Sequence, residues 1–237
     1  MRALTYLMQL PYILGMKADK VQPTRKRDDP RRDVTRIALI EAAERLFAES
    51  GVETVSTRQI GAAVGSLNTN VVSYHFGDKD GLIEAVFHHR LPGIDRRRAE
   101  LLAEAEMRDV DPSLASLVHV FALPLFEQTD STGRHSYARF LLGLERSGML
   151  EARGRLTADY PETARLTSRM AALLPAGISG SGHFRMRLIV GLLGAAFQLI
   201  DQDHDMPADA ARQLFETAVT MAASAYGATG AQQGSPT

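Results

Sequence analysis

Between Gly65 and Gly77 the chain gathers Asn68, Thr69, Asn70, Ser73, Tyr74 and His75. These side chains are polar and, apart from any proton on His75, uncharged. They suit hydrogen bonding to base edges and phosphate oxygens. An ordinary surface helix would carry Glu and Lys, because Asn, Ser and Thr form helices weakly. Chemistry of other kinds finds little support. The chain has no Cys, which excludes a disulfide framework, a Cys-ligated zinc and a thiol nucleophile. Gly177, Gly180 and Gly182 superficially suggest phosphate binding, but no strand precedes them and no Lys follows, so they read as a connector. Asp201, Asp203, His204 and Asp205 match no metal-loop spacing and read as a solvated helix end. Adjacent His88 and His89 face different sides of a helix. His119 and His135 lie on apolar helices and read as satisfied core or boundary residues rather than pocket ligands. No Ser-His-Asp or paired-carboxylate arrangement can be placed. The expectation is a protein that is not an enzyme and needs neither metal nor cofactor.

The polar run must be held by helices. Ile60, Ala63 and Val64 fall at i, i+3, i+4, one face of a helix beginning near Thr57. Gly65 supplies the permissive backbone of a sharp turn. Leu67, Val71, Val72 and Phe76 then return at helical intervals, giving a second short helix one face to bury. That is the layout of a helix-turn-helix, whose second helix enters the DNA major groove.

The flanking chain reads as helix throughout. Thr35 or Asp33 caps a helix to about Ser50, with Ile37, Ile40, Ala43 and Phe47 as its stripe, widened by Leu39 and Leu46. Thr54 to Thr57 offer hydroxyl caps for the next helix. Asp78 caps a helix lined by Leu82, Ile83, Val86 and Phe87, which Pro92-Gly93 should break. Asp95 should cap another, with Arg96, Arg97 and Arg98 outward and Leu101, Leu102 and Ala105 inward. Asp111-Pro112 reads as an N-cap and first helical position, and Pro124 as a kink or stop. Tyr137, Phe140, Leu141 and Leu144 form a stripe closed near Gly148. Pro161 opens a helix through Leu166, Met170 and Leu173. Phe184 to Ile200 is apolar almost all round, the mark of a helix buried on more than one side. Pro207 starts a last helix with Leu214, Phe215, Ala218, Met221 and Ala222 inward. The fold class expected is all-α.

Residues 1–32 read as a disordered leader and basic arm, 33–91 as the DNA-binding domain, 92–226 as a regulatory and dimerisation domain, and 227–237 as a disordered tail. The apolar start fits a secretory signal poorly and reads as a disordered leader or as an over-long start with Met16 the real one; the sequence does not separate Met1 from Met16. Pro23 and Pro30 oppose a helix in the arm, which is either a solvated tail or a device for reaching phosphates or a minor groove. Net charge is −1, so nucleic-acid affinity must come from local charge. The longest apolar run is too short to span a bilayer, and a cytoplasmic protein is expected.

Thr35 to Leu91 resembles a known family. Ala42, Ala43, Leu46, Phe47 and Gly51, then Thr57, Arg58, Gln59, Ile60 and Gly61, then Tyr74 to Leu82 (YHFGDKDGL), are together similar to the DNA-binding domain of TetR family repressors. The resemblance spans about a quarter of the chain. It implies a homodimer, a divergent C-terminal helical domain with a ligand pocket, and release from a palindromic operator on binding a small-molecule effector. Alternatives are a DNA-binding regulator that answers to a protein partner or to no ligand, and, less favoured, an α-helical enzyme. Repressor and activator are not separable from sequence.

The resemblance places Thr57 and Arg58 at the first helix of the pair, with Thr57 on phosphate. Asn68, Thr69, Asn70, Ser73, Tyr74 and His75 fall on the recognition stretch, and Lys79 meets a backbone phosphate at a helix N-terminus. Gly65 to Tyr74 is a residue or two longer than the common pattern, leaving open whether Asn68 or Asn70 faces a base. A pocket should draw on Phe121, Phe126, Tyr137, Phe140, Leu144, Met149 and Phe197, each otherwise ordinary core. The dimer seam should lie on 184–200 and 207–225.

Overall fold

The structure is a computed structural model that describes residues 30–147, 160–175 and 182–229. The leader and arm through residue 29, Gly148, Met149, Gly177, Gly180 and the tail from residue 230 lie outside the described residues. Within them every regular element is an α-helix. In chain order these are α1 Pro30–Ser50, α2 Thr57–Ala63, α3 Val71–Phe76, α4 Lys79–Arg108, α5 Leu114–Glu127, α6 Ser136–Ser147, α7 Pro161–Ala172, α8 Gly182–Gln202 and α9 Ala208–Gly227. None is long and apolar enough to cross a membrane.

One continuous core runs from Leu39, Ile40 and Phe47 of α1 to Phe215, Ala222 and Tyr226 of α9. α1 packs on α4 and α6, and α8 pairs with α9. Several expected boundaries move. α1 begins at Pro30, ahead of Thr35 and Asp33, since a proline's missing N–H costs nothing in a first helical turn. Residues 30–32 are therefore helix, not arm. Thr35 donates its hydroxyl back to the Arg31 carbonyl, within the helix. Ile37 is exposed, and Leu39 replaces it on the buried stripe.

Pro92 does not break the helix: α4 runs through it for 30 residues. The Asp95 side chain caps a different helix. Its carboxylate accepts from the Thr163 amide at 2.7 Å and from the Thr163 hydroxyl at 2.7 Å, at the first turn of α7. Arg98, expected outward, is 3% exposed; it donates to the Thr163 hydroxyl and to the Phe121 carbonyl, and lies over the Phe121 ring. Ser113, not Asp111, caps α5, and Pro124 sits buried inside it without ending it. Leu173 and Met221 are half exposed, and Leu174 takes the buried position beside Met170.

Candidate nucleic-acid interface

The first helix of the pair is short and needs its cap. Ser56 receives the Gln59 amide, while the Gln59 side chain accepts from the Ser56 amide at 2.8 Å, a reciprocal pair that fixes where α2 begins. Ile60 is fully buried beneath it and Gly61 is buried beside it. Ala63 is exposed; the inward surface is made by Ile60, Gly61 and, in part, Val64. A methyl on Gly61 would lie 3.0 Å from a Val71 methyl, so this glycine sets the close approach of α2 to α3. Gly65 turns the chain at φ +71°.

The recognition helix starts later than its apolar spacing predicts. α3 occupies Val71–Phe76, so Leu67, Asn68, Thr69 and Asn70 belong to the turn. Leu67 is fully exposed, not buried; Val71 and Val72 anchor the inner side, with Phe76 partly buried against the core. The longer spacing after Gly65 is thus absorbed in the turn. There Asn68 is occupied locally: its side-chain oxygen accepts the Asn70 amide at 2.9 Å. Asn70 occupies the cap position but makes no side-chain capping bond. Its side chain, with Thr69, Ser73 and Tyr74, faces solvent. Tyr74 is 66% exposed.

α4 begins one residue after Asp78, whose carboxylate accepts the Gly81 amide at 2.8 Å. Lys79 therefore sits in the first turn of a long helix, beside the end of α3. Thr57 and Arg58 open α2 on the other side, Thr57 half-buried and Arg58 exposed. The turn and these three helices bring Thr57, Arg58, Asn70, Ser73, Tyr74, His75 and Lys79 onto one unit.

Three cations lie over aromatic rings here: Arg32 over Tyr74 at 5.5 Å, Arg36 over Phe76 at 5.2 Å and Lys79 over Phe47 at 5.7 Å. Placing Arg32 in an arm that ends at residue 32 hides this. The i, i+4 spacing of Arg32 and Arg36, once α1 starts at Pro30, was the available signal. The His75 imidazole is held below its ordinary value of 6.5, by burial first and then by Arg32 and Arg36. Its Nδ1 is buried and makes no hydrogen bond.

The residues expected to line a pocket separate into two groups. Tyr137 and Phe140 pack with Phe87, and Phe140 also with Phe47, where α6 meets α1 and α4. Leu144 is buried on the same helix. Phe126 and Phe197 stack with His135 and Phe215 at the far side. Phe121 and Phe197 border a cavity of about 10 Å³, with Leu125, Ala138, Leu141 and Val190. His119 and His135 are partnered: His135 pairs with Asp201 at 2.7 Å and reaches the Phe126 carbonyl, and His119 meets Glu216. Asp201 is itself buried, unlike the solvated helix end expected of it. No cluster of metal-ligating side chains occurs among the described residues.

A capped helix, a glycine turn and a second helix with its polar side in solvent define a helix-turn-helix protein. Residues 39–86 match the model of the bacterial regulatory proteins, tetR family. Over these residues the chain is similar to the DNA-binding domain of the TetR family. It is 38% identical over 72 residues to the HTH-type transcriptional regulator BetI of Burkholderia mallei (strain NCTC 10229), covering 29% of this chain and 36% of that protein. A BetI of Burkholderia cenocepacia (strain HI2424) is 38% identical over 60 residues, 25% of this chain and 30% of its own. The chain thus spans about a third of the length of these relatives. Among solved structures it is similar to PfmR, a TetR family transcriptional regulator from Thermus thermophilus. That match has 19% identity and a TM-score of 0.48, over 79% of this chain and 96% of that one. It is also similar to native NalD, described as the secondary repressor of the MexAB-OprM multidrug efflux pump in Pseudomonas aeruginosa. There the identity is 25% and the TM-score 0.46, over 80% and 96%.

Proposed function

We propose that this chain is a dimeric transcriptional regulator that binds a palindromic DNA operator and is released from it by a small-molecule effector. One observation carries the reading. Within the family's DNA-binding domain, α3 and the turn before it leave Asn70, Ser73 and Tyr74 in solvent, flanked by cations. In this reading Asn70, Ser73 and Tyr74 face bases. Asn68, already bonded to its own backbone, serves the turn with Thr69. Thr57, Arg58 and Lys79 meet phosphate, Lys79 aided by the positive end of α4. His75 supports the Tyr74 ring from the side, edge-on at 5.0 Å.

The DNA-binding part is 33–91 and the regulatory part 92–226, joined through the unbroken α4. The dimer seam lies on α8 and α9. Phe184, Leu188 and Leu199 of α8 and Met221 of α9 are more than half exposed, while Ile189, Val190, Leu193 and Phe197 face the chain's own core. Phe184, Leu188, Gly191, Ala195 and Leu199 recur at helical spacing, a stripe suited to a second copy. Two recognition helices would then lie roughly 34–36 Å apart, in successive major grooves.

A second reading, a regulator that answers to a protein partner or to no ligand, is favoured by the cavity at Phe121 and Phe197. At about 10 Å³ it has room for a single water. An effector seated there would have to open it. Gel shifts with duplexes selected from random DNA test the central reading: retention of selected duplexes over scrambled ones supports it, and equal retention of both overturns it. A thermal-shift screen that finds no stabilising small molecule, with DNA binding intact, selects the second reading.

A further inference from the structure

We infer that Arg32 and Arg36 are positioning residues for the recognition helix, and that Arg32 in particular fixes the side chain through which Tyr74 would meet DNA. This rests on the DNA-binding reading. α3 has six residues and buries only Val71 and Val72. A helix so short has little of its own to hold an outward tyrosine in one rotamer. The Tyr74 ring is bounded on two sides instead. The Arg32 guanidinium lies 5.5 Å from its centroid, and the His75 ring meets it edge-on with planes at 87°. One turn further along α1, Arg36 lies 5.2 Å from the centroid of Phe76, the last residue of α3. Arg32 and Arg36 share one face of α1, so a single helix holds two aromatic side chains in the C-terminal half of α3. Among the described residues neither guanidinium pairs with a carboxylate. Their positive charge is left on the same side as Tyr74, where a phosphate would complete it.

A phosphate contact and a positioning contact have different signatures. Loss of a phosphate contact weakens binding to every duplex alike. Loss of a positioning contact weakens the preferred duplex more than a scrambled one and acts through Tyr74. The test uses the full chain, a fluorescent duplex selected by the wild type from random DNA, and a scrambled duplex of equal length and composition. Arg32→Gln is expected to lower affinity for the selected duplex about tenfold and for the scrambled one by clearly less. The same substitution should add little on a Tyr74→Leu background, keep its full effect on Tyr74→Phe, and be partly rescued by Arg32→Lys. Melting temperatures of all variants are compared; should Arg32→Gln unfold, the Arg32→Lys and Tyr74→Phe measurements decide. Equal losses on both duplexes, or losses that add with Tyr74→Leu, overturn the inference and leave a plain phosphate contact. A wild type that selects no sequence overturns the DNA-binding reading itself, which is a separate outcome.

Discussion

At the scale of single residues, the interface divides into groups that sense charge and groups that sense shape. Lys79 stands in the first turn of α4 over the Phe47 ring. Lys79→Ala should weaken binding to selected and scrambled duplexes alike and reduce the slope of log affinity against log salt by about 1. Tyr74→Ala should abolish discrimination while leaving that slope nearly unchanged; titrations at several salt concentrations separate the two. His75 makes a pH prediction. Its imidazole is held below 6.5 by burial and by Arg32 and Arg36, so the folded chain takes up its proton later than the unfolded one as pH falls. Stability from this group is complete above about pH 6.5 and is lost as pH falls through the lowered value. Phosphates of a bound duplex would oppose that shift, so DNA affinity should rise as pH falls below about 6.5, with His75→Gln removing that part of the rise.

At the scale of elements, two junctions govern where the recognition unit sits. A methyl on Gly81 would come within 2.2 Å of the Phe76 carbonyl oxygen, which is backbone and has no room to yield. Gly81→Ala should destabilise the chain by about 1–3 kcal/mol and weaken operator binding, read by thermal melting and by gel shift. The second junction joins α1 to α4 and α6. Glu44, 1% exposed, receives two hydrogen bonds from Arg90, at 2.6 and 2.9 Å, and one from the Ser136 hydroxyl. His135, the next residue back, is pinned to Asp201 at the end of α8. Glu44→Ala leaves the part-buried Arg90 guanidinium and the Ser136 hydroxyl without this partner and should cost about 1–3 kcal/mol. Denaturant melts check that loss. None of these contacts was visible in spacing, because each joins helices far apart in sequence. Helix identity was legible: Ser56 with Gln59 and Asp78 with Gly81 are local signals. Pro92 and Asp95 misled for the same reason in reverse. Local rules place a break and a cap there, whereas long-range packing carries α4 through and lends Asp95 to α7.

At the scale of the whole molecule, α8 keeps two faces. One is buried in the chain's own core, and the other leaves Phe184, Leu188 and Leu199 in solvent. A single charge on that outer stripe should matter more than its exposure suggests: Leu188→Glu is expected to yield a folded monomer by sedimentation, with operator affinity lost although α3 is untouched. The sequence showed an apolar helix; only the structure divides its residues between core and surface. The same division explains the aromatic side chains. Tyr137 and Phe140 lie where α6 meets α1 and α4, Phe126 and Phe197 stack around His135, and Phe121 lies under the Arg98 guanidinium, so three helices divide them.

The account stands most directly on the symmetry of the bound state. Duplexes selected from random DNA by the full chain are sequenced, and the mass of the complex is measured by sedimentation at physiological ionic strength. Enrichment of an inverted repeat, with half-sites about one helical turn apart and two chains bound to it, is the predicted result. Selection of an unrepeated sequence by a single chain, or no enrichment at all, would contradict it.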